Sequence, residues 1–232
     1  MAFPVTRNKI PLLLACLCAL LLFACAQGSP VIKNRSIKLL RVQDPTRSFS
    51  EHLSVFVCFE DSDGEEDFSS ITITHDESTL FWEITPQEAV VRLRDTERWT
   101  GSNNLSYPAD GLFPPGRYTL VVADLAGNEA VESFSLSRIS FPEYAPAALT
   151  IAEGTWTIER SADAAGFTRV FLYLFSQDDR LLYSYLAPDG SQTVTGTVAE
   201  LLALAPGAVR VQCYIENFSG SAGVLLTAVD LQ

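Results

Sequence analysis

The sequence predicts an all-β protein built as two tandem antiparallel β-sandwiches behind an N-terminal export segment. Three observations predict it. From residue 36 onward no sustained apolar run recurs at helical spacing; short stretches rich in Val, Ile, Thr, Phe and Tyr alternate with Gly, Pro, Asp and Asn. Within those stretches apolar residues fall at every second position, as a strand with one buried face requires. The run Phe141-Pro142-Glu143-Tyr144-Ala145-Pro146 then divides the chain, because two prolines remove ladder donors and interrupt any regular element.

In the first half, strands are expected at 36–42, 53–60, 70–75, 79–84, 89–93, 118–124 and 130–137. Val55, Val57 and Phe59 share one face, and Ile71 and Ile73 oppose Thr72 and Thr74. So many short strands in so few residues suit a sandwich. After the prolines, strands are expected at 154–159, 167–176, 180–186, 191–197, 208–216 and 223–231, with Gln177-Asp178-Asp179 turning a hairpin. Val209, Val211, Cys213 and Ile215 alternate cleanly with Arg210, Gln212, Tyr214 and Glu216. Val198 to Leu204 is the exception, an Ala/Leu run long enough for about two helical turns, expected as a connector packed on the sheet. Pro115-Gly116 before one apolar strand and Pro206-Gly207 before another form a weak internal repeat that favours tandem units, with one larger two-sheet domain as the alternative.

Acids outnumber bases by 28 to 16, a formal net charge of −12 spread over both halves. Such a surface repels phosphate backbones, which argues against nucleic acid as a partner.

Arg7 and Lys9 precede an uncharged run from Ile10 to Ala24, the outline of an export signal too short to span a bilayer comfortably. Its end, Leu22-Phe23-Ala24-Cys25, resembles the lipobox of bacterial lipoproteins, with Phe23 as in the relaxed lipoboxes of spirochaetal members. The resemblance implies a signal peptide over 1–24, cleavage before Cys25, and lipid attachment at Cys25 through acyl chains such as palmitate. Two or three chains hold a soluble domain on a membrane, whereas one binds reversibly. Cys16 and Cys18 are poorer acceptors, Leu17 not being small and a cut before Cys16 leaving too short an apolar core. Ala26 in place of Asp favours the outer membrane within that resemblance. Residues 25–35 are expected to be a tether, 36–140 the first sandwich and 146–232 a second, smaller one.

Leu112-Phe113-Pro114-Pro115-Gly116-Arg117-Tyr118, followed by a strand and Asp124 to Asn128, resembles the corner and last hairpin of bacterial immunoglobulin-like and fibronectin type III domains. There a tyrosine hydrogen-bonds back across the corner, a role that falls to Tyr118. Together with Asp61-x-Asp63-Gly64, Phe81-Trp82 and Gly101-Ser102-x-Asn104-Leu105, the pattern over 36–138 is similar to spirochaetal lipoproteins. The second half matches less well, Val209 standing where the tyrosine would be.

Few residues point to chemistry. Asp61, Asp63 and Asp67 crowd one turn around Gly64, but in a Ca²⁺-loop register Phe59 and Ser70 occupy the places of two strong ligands, so a solvated acidic turn is expected and no metal site is assigned. His52 and His75 lack zinc spacing, and no Gly-x-Ser-x-Gly, dinucleotide or Walker-type loop occurs. No catalytic residue and no cofactor is expected. Cys58 and Cys213 are expected as separately buried thiols. Of Phe81 and Trp82, adjacent on a strand, one faces outward and is a contact candidate. These readings converge on an envelope lipoprotein with a non-enzymatic binding or structural role, a protein or glycan partner of unknown identity, and a position on the outer membrane. A surface adhesin and an envelope hydrolase using a carboxylate pair are the alternatives.

Overall fold

The computed structural model describes residues 28–231 apart from 108–110, 163, 165 and 189–190. The export segment and Cys25 lie outside the described residues.

The first half contains β1 (Val31–Gln43), β2 (Phe49–Glu60), β3 (Phe68–His75), β4 (Phe81–Ile84), β5 (Val90–Arg94), β6 (Glu97–Ser106), β7 (Gly116–Asp124) and β8 (Glu129–Leu136), with a 3₁₀ turn at Glu65–Asp67. They pair as β1-β2-β6-β5 on one side and β4-β3-β7-β8 on the other. This is the strand order of an immunoglobulin-like sandwich. Between the layers, Leu53, Val55, Val57, Ile71, Ile73, Tyr118, Leu120 and Val122 are buried together. Period-two patterning makes this core: each strand sends alternate side chains inward, and each fully buried aliphatic contributes about 1.5–3 kcal/mol.

The second half contains β9 (Ala147–Ala152), β10 (Thr155–Arg160), β11 (Phe167–Phe175), β12 (Leu181–Leu186), β13 (Thr193–Thr197), helix α1 (Val198–Leu204), β14 (Arg210–Asn217), β15 (Ala222–Leu225) and β16 (Val229–Asp230). Here β13-β10-β9 faces β12-β11-β14-β15, with β16 also on β14. Apart from a strand matching β5, the order repeats that of the first half, so β7 and β14, each entered from a Pro-Gly pair, are equivalent strands. A separate core gathers Trp156, Ile158, Val170, Leu172, Leu174, Val211, Cys213 and Ile215. As expected, α1 is a connector: Leu201 packs into this core, and Thr197 and Glu200 form a capping box worth about 1 kcal/mol.

The halves share one nine-stranded sheet. Strand β15 runs parallel to β1, with Leu39, Leu40, Arg41 and Val42 opposite Ala222, Gly223, Val224 and Leu225. Leu39 belongs to the first core and its partner Ala222 to the second, so both cores lie on the same face of the shared sheet. The far face carries Lys38, Phe56, Cys58, Trp99, Tyr214 and Glu216. Phe56, Cys58 and Trp99 are buried on that face as a third, small cluster, with Arg92 and Arg94 of β5 over the Phe56 and Trp99 rings.

Several strands differ from expectation. Strand β2 starts at Phe49 rather than 53, and the strand expected at 223–231 is two, β15 between β14 and β1 and the short β16 on β14. Strand β1 starts at Val31 rather than 36, because Val31 and Ile32 pair with Glu60 and Phe59 and a bulge resets the register before Asn34. Strand β6 was not expected from Glu-Arg-Trp-Thr-Gly-Ser-Asn-Asn. Its Gly101 lies where a Cβ would sit 2.0 Å from the Val55 carbonyl, so the residue that reads as a loop is what allows close pairing with β2. Strand β9, directly after Pro146, pairs along its whole length with β10.

Candidate functional site

The three regions with chemistry to offer are an acidic end, a groove beside β2, and the far face of the shared sheet.

At the acidic end, the turn after β2 meets the hairpin between β7 and β8. Carboxylate oxygens of Asp61, Asp67 and Asp124 lie within 4.8 Å of one another. Asp63, expected in the same cluster, instead accepts a bond from the Gly28 amide at 3.0 Å. Asp124 entered from outside the predicted turn; its Asp-x-x-Gly-Asn hairpin was legible, its convergence on Asp67 was not. Burial opposes the charge on Asp124, but bonds from Asn128, through its side chain at 2.8 Å and its amide at 2.7 Å, with backbone bonds around Ala126 and Gly127, hold the carboxyl below the ordinary range. Asp67 is pushed the other way, by loss of solvent first and then by Asp124, Asp61 and Asp63, and its Oδ2 has no hydrogen-bond partner. Three such oxygens could supply part of the six to eight ligands that Ca²⁺ takes.

The groove, about 800 Å³, is lined by Arg41, Asp44, Phe49, Glu51, His52 and Phe141 among others. It is the place to look for a carboxylate pair. Among the described residues two acids line it, each with a backbone amide: Asp44 accepts from the Thr46 hydroxyl and the Ser48 amide, and Glu51 from the Phe113 amide at 3.0 Å. Burial raises the Glu51 carboxyl above its usual range and lowers the His52 imidazole. His52 Nε2 lies 2.9 Å from Ser50 Oγ, the two sharing a face of β2. His75 is a corner residue: its Nδ1 meets Ser78 Oγ at 2.8 Å and its ring packs on Tyr118 at 4.8 Å, while the neighbouring Asp76 turns to Thr119 and Arg117. Tyr118 takes the expected corner role, its hydroxyl donating to the Pro114 carbonyl at 2.7 Å.

The far face was not foreseen. Glu216, 3% exposed, receives Lys38 from β1 and Arg169 from β11, each at 2.9 Å, and the Tyr214 hydroxyl at 3.2 Å. Tyr214 lies across Gly223, where a Cβ would meet the ring at 2.2 Å, and stacks on Tyr173 at 5.5 Å. Burial first, and then Glu216, push the Tyr173 phenol up to about 12. Further along, Arg92 covers the Phe56 ring at 4.2 Å and Arg94 the Trp99 ring at 4.9 Å. Burial lowers the Arg92 guanidinium from its ordinary value.

Of the remaining candidates, Phe81 is the outward residue at 67% exposure, while Trp82 stacks on Phe113 and donates its Nε1–H to the Ser106 carbonyl. Cys58 and Cys213 are free thiols buried in different clusters. Among the described residues no helix is long and apolar enough to cross a membrane.

No protein-family model and no curated protein matches the chain. Among solved structures it is similar to a biofilm associated protein BSP domain (11% identity over 88% of this chain and 29% of that one, TM-score 0.25). It is also similar to dimeric latent PorU from Porphyromonas gingivalis (14%, 99% and 21%, TM-score 0.29). A third similarity is to murine CEACAM1b (9%, 86% and 99%, TM-score 0.26). The chain spans less than a third of the first two. Likenesses this distant carry no functional argument; the immunoglobulin-like architecture rests on the strand order itself.

Proposed function

We propose that the chain is an envelope lipoprotein, held on the membrane through Cys25, with a non-enzymatic binding or structural role. The observation that carries this reading is the continuity of the sheet. Strand β1 begins six positions after Cys25 and joins both sandwiches, β2 on one side and β15 on the other. A single anchor would therefore present the whole body as one unit. The Gly28 amide, three positions after Cys25 in the sequence, donates to Asp63 at 3.0 Å, which ties the start of the described chain to the acidic end. The described acids of the groove, Asp44 and Glu51, each accept a backbone amide, which supports binding or structure over hydrolysis.

The test is membrane fractionation of wild type and Cys25→Ala with the signal cleaved, followed by protease treatment of intact and outer-membrane-permeabilised cells. Membrane association lost in Cys25→Ala is the expected result, and a mutant that stays with membranes overturns the anchor. Digestion on intact cells directs the search to extracellular partners, as for an adhesin. Protection until permeabilisation directs it to the periplasm.

A further inference from the structure

We propose that β5 is a docking edge for an extended acidic peptide segment, which adds to the sheet as a further strand and places carboxylates at alternate positions on Arg92 and Arg94. This rests on the binding role proposed above and names the chemistry of the partner.

Strand β5 ends the nine-stranded sheet, with β6 as its one neighbour. Its other side presents the main-chain donors and acceptors that strand addition uses. Its side chains sort by period two: Arg92 and Arg94 lie on the far face with Val90, and Val91 and Leu93 on the opposite one. Leu93 is 76% exposed and Val91 46%, so an incoming strand would find apolar contact on that side.

Charge selects the partner. In a chain with 28 acids and 16 bases, neither Arg92 nor Arg94 meets a carboxylate among the described residues. The nearby Glu97 carboxylate accepts the Trp99 Nε1–H at 3.1 Å. Both guanidinium groups lie over aromatic rings, whose faces attract the cation but supply no oxygen acceptor to its N–H groups. Strands β4, β8, β9, β12 and β13 also lie at sheet edges, and none of them carries Lys or Arg. The part of β1 that β15 does not cover carries Lys33, Arg35 and Lys38, but these are paired with Glu60, Glu132 and Glu216, so β5 is the edge whose cations meet no carboxylate among the described residues.

The probe is a short peptide alternating Glu with Val and Thr, titrated into the purified full-length protein by calorimetry and by Trp fluorescence. Three controls accompany it: a peptide of the same composition with its glutamates in one block, an alternating peptide methylated on its backbone nitrogens, and an alternating Lys peptide. The alternating Glu peptide is expected to bind at least about tenfold tighter than each control, with affinity falling in salt and by about tenfold or more in Arg92→Gln/Arg94→Gln. Equal binding of alternating and blocked peptides, undiminished binding of the methylated one, or no binding of any peptide would overturn the proposal. So would self-association of the double variant with wild-type peptide affinity, which would make the arginines guards against edge pairing. The peptide controls need no variant to fold, and none of these outcomes bears on anchoring, which fractionation decides separately.

Discussion

Lys38 Nζ lies 2.9 Å from Glu216 Oε2, tying the first strand of one sandwich to the equivalent of the last-but-one strand of the other. Glu216 is 3% exposed, while Lys38 and Arg169 keep partial contact with solvent. Removing the carboxylate strands two cations at the seam. Glu216→Ala is expected to cost about 2 kcal/mol, between the values for exposed and buried pairs, and to split one urea transition into two. Equilibrium unfolding followed by far-UV circular dichroism and Trp fluorescence checks both.

Tyr214 and Gly223 form a lock on the same seam. A methyl at position 223 would occupy the space of the ring, so Gly223→Ala is expected to destabilise by about 1–3 kcal/mol. In Tyr214→Ala the same substitution has room, and its cost should largely vanish. A double-mutant cycle by urea denaturation measures the coupling.

Tyr118→Phe removes the bond to Pro114 in a side chain that is fully buried. A loss of about 1–2 kcal/mol is expected, confined to the first sandwich. Val209, just before β14, occupies the matching place, so no equivalent substitution exists in the second. Hydrogen exchange by half-molecule would show the asymmetry.

The acidic end gives two aspartates opposite pH behaviour. Asp67 titrates above its ordinary value of 3.8 in the folded chain, so its charge disfavours folding at neutral pH, and the penalty disappears as pH falls through the raised value to below 3.8. Asp124 titrates below 3.8, so its stabilisation is present above that value and is lost as pH falls through the lowered one. Asp67→Asn is therefore expected to raise Tm at pH 7 and Asp124→Asn to lower it, with both differences shrinking on acidification. Thermal melts from pH 7 down to the acid limit of folding test the pair.

Much of the sandwich was legible because its signals are local. Alternation in β2, β3 and β14, the Pro-Gly entries to β7 and β14, and the hairpin at Asp178 and Asp179 each depend on a few neighbouring residues. Tyr118 could be assigned because its partner, Pro114, is four residues away. Strand β6 was missed because Gly101, Asn103 and Asn104 read as a loop, while the close approach to Val55 that requires glycine is a property of β2. The seam was missed for a related reason. Leu39 and Ala222 are far apart in the chain, and a parallel pairing between two edges leaves no mark in either sequence alone. Asp124 joining Asp61 and Asp67, and Arg92 covering Phe56, depend on the same long-range geometry.

The central claim is that β1 and β15 join two sandwiches into one sheet, and the Leu39 amide reports on it most directly. This N–H bonds to the Ser221 carbonyl at 2.9 Å, across the seam and not to β2. Amide hydrogen exchange by NMR is expected to find Leu39 protected as strongly as the central strands β2 and β14, and less so in Glu216→Ala. Exchange of Leu39 at the rate of an exposed loop, with β2 still protected, would contradict the shared sheet.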